Sequence, residues 1–91
     1  MTEFIEETTM GSLGTVPVGM ANAGKNFNYT LPNGKEVHGE ACLLVLPDRQ
    51  VWVGAGSEVE VAGTTWRVTK VEVPDDDNGA VYLEQIAGPS L

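Results

Sequence analysis

The amino-acid sequence predicts an all-β fold, a small antiparallel barrel or sandwich of about six or seven strands. Three observations carry this expectation. Apolar residues alternate with polar ones or stand in short β-branched runs, as in "SEVEVAG" and "WRVTKVEV". Eleven glycines and five prolines punctuate those runs at turn-like spacing. No window repeats its apolar positions with a helical period. With 91 residues and neither repeat nor linker, the chain reads as one β domain over residues 1–91.

Taken in order, residues 1–10 are acidic, Met10 before "GSLG" is compatible with a second start, and the segment is expected to be flexible. Residues 11–25, with "VPVG" and "ANAGK", read as a first strand and a long Gly-rich loop. "NFNYTL" and "EVHGEACLLVLP" then form a hairpin through Pro32, Asn33, Gly34 and Lys35, where Pro presets one corner and Asn-Gly accepts positive φ at the next. In its second strand Val37, Gly39, Ala41, Leu43 and Val45 share one face, while His38, Glu40, Cys42, Leu44 and Leu46 share the other. From Cys42 onward both faces are apolar, which predicts cover on both sides.

A short strand around Val51–Val53 leads to a turn at Gly54–Gly56. Val59 and Val61 point inward, with Glu58 and Glu60 in water, and Ala62-Gly63 reverses the chain. Trp66 and Val68 share a face, but Val71 and Val73 have the opposite parity. The inward phase therefore slips near Thr69 and Lys70, where a β-bulge would restore it. Such a bend favours a closed barrel. "PDDDNG" connects this strand to the last one, residues 80–86, on which Val81 and Leu83 face in.

Thirteen acidic residues against five basic ones give a net charge of −8. That field disfavours nucleic acid and anionic membrane surfaces and attracts a basic protein partner. The N-terminus lacks the basic and apolar regions of a signal peptide, and no run of about 18 apolar residues occurs. One cysteine, Cys42, can form no internal disulfide and suits a reducing, cytoplasmic location.

Candidate chemistry is sparse. His38, Glu40 and Cys42 are the cast of a thiol nucleophile, but along one strand His38 and Cys42 lie ~13 Å apart, too far to generate a thiolate. One thiol and one imidazole also fall short of a structural zinc. Asp75, Asp76 and Asp77 suggest calcium, yet a loop counted from Asp75 puts Gly79 at the fifth position and Ile86 at the twelfth, so the ligand register fails and a turn is expected. No catalytic residue, metal ligand or cofactor site is assigned. Trp66 is expected in the core. Trp52, of opposite parity to Val51 and Val53, is expected outside, and with outward Arg67 and Tyr82 it forms the candidate partner-binding patch.

From residue 43 to 86 the sequence "LLVLPDRQVWVGAGSEVEVAGTTWRVTKVEVPDDDNGAVYLEQI" resembles small uncharacterised actinobacterial all-β proteins, through Gly54, Gly63, Trp66, Val71, Glu72 and Pro74. The resemblance implies a compact β domain and no named activity. A further likeness, at the level of fold alone, is to the small barrels of phage head and tail connectors.

The functional expectation is a non-catalytic acidic module that binds another protein, as an immunity-type or assembly partner. One alternative is a small barrel holding an apolar small molecule, as a biosynthetic accessory or cyclase. Another is a phage-type structural homo-oligomer.

Overall fold

The computed structural model describes residues 2–7, 10–74 and 79–87. Eight strands follow in chain order: β1 (Thr2–Glu6), β2 (Met10–Leu13), β3 (Val16–Thr30), β4 (Glu36–Val45), β5 (Gln50–Gly54), β6 (Glu58–Val61), β7 (Thr64–Glu72) and β8 (Ala80–Ala87). They form two antiparallel four-stranded sheets, ordered β1-β8-β7-β6 and β2-β3-β4-β5, and one sheet curls into a half-barrel. The architecture thus lies between the sandwich and the closed barrel foreseen from the sequence. The eighth strand comes from the first 13 residues. Residues 1–10, expected to be flexible, instead supply β1 and the start of β2, because Ile5 inserts between the sheets at 1% exposure while β1 pairs along β8.

A second correction concerns "ANAGK", residues 21–25. The strand foreseen at "VPVG" is present, but the loop after it is not: residues 21–25 continue the same strand as the middle of β3, which pairs with β2 and β4. Two register shifts, between Ala21 and Gly24 and between Gly24 and Phe27, absorb the poor strand formers Asn22 and Gly24, with Asn22 at a φ of 52°. The β3–β4 hairpin closes as its turn chemistry demands. Leu31 N–H donates to Lys35 O, Gly34 N–H donates to Leu31 O, and Gly34 has a φ of 87°.

The β6–β7 turn uses Ala62 and Gly63, both at positive φ. The phase slip foreseen near Thr69 is present as a register shift between Val68 and Lys70 on β7, so Trp66, Val68 and Val71 all point inward.

The two inner faces meet in one apolar core. Trp66, Val68, Val81 and Leu83 come from one sheet, and Leu13, Val18, Cys42 and Leu44 from the other, each at most 2% exposed. At roughly 25 cal/mol per Å² of apolar area, each such side chain contributes about 1.5–3 kcal/mol. This layer fixes which residues face out, and so fixes the two surfaces described next.

Candidate functional site

The three residues of the candidate patch do not come together. Trp52 lies on β5, on the outer face of its sheet, whereas Arg67 and Tyr82 lie on β7 and β8, on the outer face of the other sheet. The sequence supplied each orientation by parity but not the partition of strands between sheets.

On the sheet that contains Arg67 and Tyr82, Phe4 of β1 stands opposite Tyr82 of β8, with ring centroids 5.6 Å apart and the planes 25° from parallel. Phe4 is 55% exposed. The Tyr82 hydroxyl donates to the Glu72 carboxylate; this hydrogen bond is the main reason that Glu72 stays ionised to lower pH than a free glutamate and that Tyr82 holds its proton to higher pH. Lys70 Nζ lies 3.6 Å from Glu72, and Arg67 lies 3.5 Å from Glu58. Strand pairing puts Glu6, Glu58, Glu60, Glu72 and Glu84 on this same face, against the two cations Arg67 and Lys70. An exposed aromatic pair is thus set among an excess of carboxylates.

The other sheet's outer face is of a different kind. Phe27 of β3 and Trp52 of β5 meet across β4 with ring centroids 4.8 Å apart. The Phe27 ring lies over Gly24, where a Cβ would collide with it, and the Tyr29 ring covers Gly54 in the same way while its hydroxyl donates to Ala55 O at 3.3 Å. The paired rows Gly19–Val45–Gln50, Ala21–Leu43–Trp52 and Phe27–Gly39 contain no charged side chain. Both faces of β4 were expected to be covered from Cys42 onward. The core does cover Cys42 and Leu44, but Leu43 and Val45 remain half-exposed because no second layer of the described residues packs on that side.

Residues 8–87 match the model of a family of unknown function, DUF6406. The chain belongs to that family. No curated protein and no solved structure matches it. In this DUF6406 chain the matched span takes in β2–β8, including Trp52, Arg67 and Tyr82, and leaves Phe4 ahead of it.

The remaining chemistry of the DUF6406 chain is limited by geometry. Cys42 is fully buried, and its thiol is pushed up to about 12, first by burial and then by the nearby Glu7 carboxylate. His38 sits on the exposed end of the β3–β4 hairpin, where its Nδ1 lies 2.7 Å from Asn28 Oδ1, and no thiol–imidazole pair forms. Glu40, Lys70, Val71, Glu72, Val73 and Pro74 line an open groove of about 260 Å³. Among the described residues, no group of three or more His, Cys, Asp or Glu side chains is placed to hold a metal ion. The aspartates Asp75, Asp76 and Asp77, expected to form a turn, lie outside the described residues. Among those described, no helix is long and apolar enough to cross a membrane.

Two participants escaped the sequence reading. Phe27 had a signal, since it shares parity with Tyr29 on a strand facing apolar partners. Phe4 lay in a segment whose alternation, "TEFIE", is too short to call a strand on its own.

Proposed function

We propose that this chain is a non-catalytic, acidic interaction module that binds a basic protein partner through the outer face of the β1-β8-β7-β6 sheet. The observation that carries this reading is the Phe4–Tyr82 ring pair set, among the described residues, with five glutamates against two cations on the same face. An Arg or Lys side chain laid on those rings gains a cation–π contact, and the surrounding carboxylates raise its local concentration and association rate. Trp66, Leu44 and Leu83 fill the space between the sheets, which supports recognition at the outside over a barrel that holds an apolar small molecule. Part of the same proposal is a cytoplasmic location, supported by the single buried thiol, and an actinobacterial source, supported by the likeness over residues 43–86.

Titration of isotope-labelled protein with a short arginine-serine peptide, and with its glutamate-serine counterpart, tests it by amide NMR shifts. Shifts confined to the surroundings of Phe4, Tyr82 and Glu72, with the arginine peptide alone, are the expected result. Tyr82→Ala should weaken that binding roughly three- to fivefold, the value of an exposed cation–π contact. Equal response to both peptides, or none to the basic one, overturns the reading.

A further inference from the structure

We propose that the outer face of the β2-β3-β4-β5 sheet, whose rows through Val45, Leu43 and Gly39 carry no charged side chain, is a self-association surface on which a second copy of this chain docks, giving a two-fold symmetric dimer. The inference is independent of the proposed binding of a basic partner, which uses the other sheet.

The first argument is electrostatic. Each copy carries a net charge of −8, so two copies repel wherever carboxylates face one another. The β1-β8-β7-β6 face, with Glu6, Glu58, Glu72 and Glu84, is therefore closed to self-association, and the rows through Val45, Leu43 and Gly39 offer a surface on which no like charges are opposed. A basic partner, by contrast, gains nothing from that uncharged surface.

The second argument is shape. Trp52 and Phe27 form a raised ring pair, 42% and 37% exposed. Beside it the backbone is bare at Gly39, where an added Cβ would meet nothing within 4 Å, because the Phe27 ring opposite leans away over Gly24. A two-fold axis lying in the plane between the copies, and crossing over β4 between the ring pair and Gly39, seats the rings of each copy against the Gly39 hollow of the other. Such a surface is self-complementary, as an isologous interface must be.

The third argument is area. Three to four strands spaced ~4.8 Å apart and ~33 Å long at most present roughly 500 Å² per copy. That is below the ~800 Å² per partner of a standard stable interface, so the dimer is reversible, with dissociation in the micromolar range.

Sedimentation velocity at about 100 μM, well above that range, should show a species of twice the 9.7 kDa protomer mass. Gly39→Glu puts a charge at the centre of the contact without a clash inside the protomer, and should weaken the dimer at least tenfold with the circular dichroism spectrum unchanged. Trp52→Ala should weaken it as well. Raising NaCl should tighten the dimer, since it screens the repulsion between copies, whereas the same change loosens binding of a basic peptide; the two surfaces are thereby told apart. A monomer at that concentration overturns the proposal and leaves the face to a different partner. So does a dimer whose affinity Gly39→Glu leaves within threefold, or a ring or tube larger than two copies.

Discussion

At the scale of single residues, the two tryptophans separate by parity alone. Trp66 shares its face with Val68 and is 1% exposed, while Trp52 alternates against Val53 and is 42% exposed. What parity cannot give is the pairing of polar atoms: the Trp66 indole Nε1 is buried with no hydrogen-bond partner among the described residues. The ring's worth to the core is therefore its volume, offset by a desolvated N–H that costs about 1–3 kcal/mol. Trp66→Ala should destabilise the fold by about 3–5 kcal/mol in urea titration. Trp66→Phe, which removes the orphaned N–H along with part of the ring, should cost clearly less than that.

Cys42 makes a pH-dependent contribution of definite sign. Its folded-state value, about 12, lies above the ordinary 9.0, so the native thiol holds its proton where the unfolded one releases it. Between those two values the native state binds more protons, and stability falls as pH rises. The contribution is fully present below pH 9 and lost through the window up to about 12. Cys42→Ala should flatten that alkaline decline in urea midpoints measured from pH 8 upward, and an unchanged slope would remove the assignment.

At the scale of elements, legibility followed local turn chemistry and alternation. The β3–β4 and β6–β7 turns, the β7 bulge and the inward residues of β6–β8 were all readable because a Pro-Asn-Gly corner, an Ala-Gly pair or a parity slip marks each one. The middle of β3 was not. Between "VPVG" and "NFNYTL", both legible as strands, the chain draws on Ala21, Asn22 and Gly24, which have little strand propensity of their own, and it is one continuous strand because its neighbours β2 and β4 pair along β3 on either side. Its bulge is pinned from outside as well. The Glu7 carboxylate accepts hydrogen bonds from Ala23 N–H at 3.2 Å and from Gly79 N–H at 3.0 Å, a link across 72 residues that no local pattern announces.

Glycines in strands likewise divide by what stands above them. Gly54 is covered by the Tyr29 ring, so Gly54→Ala must displace that ring and its bond to Ala55 O, and should cost about 1–3 kcal/mol. Gly39 has open space, and Gly39→Ala should be neutral or stabilising by up to about 1 kcal/mol, through loss of glycine's freedom in the unfolded chain. Paired thermal melts of the two variants distinguish a covered glycine from a bare one. The bare one is the position that the proposed dimer fills.

At the scale of the whole molecule, the distribution of charge is what organises the surface. The sequence shows the excess of eight negative charges but not its placement, since assigning glutamates to one sheet face requires the strand order β1-β8-β7-β6, in which the first strand pairs with the last. Two opposing effects then set the response to salt. The ion pairs Arg67–Glu58, Lys70–Glu72 and Arg49–Asp48 are all exposed, and each is worth about 0–1 kcal/mol, which salt would weaken. Against them stands the mutual repulsion of the excess carboxylates, crowded on a sheet face whose neighbouring strands are only ~4.8 Å apart, well inside the ~10 Å Debye length at 0.1 M. Repulsion across a face with five glutamates and, among the described residues, two cations outweighs three weak pairs, so the melting temperature should rise between low and high NaCl. Glu60→Gln, which removes a carboxylate standing opposite the uncharged Thr65, should raise the low-salt melting temperature and reduce its salt dependence. A melting temperature that falls with salt would mean that the exposed pairs dominate, and that the acidic face is held by its cations instead of strained by its excess.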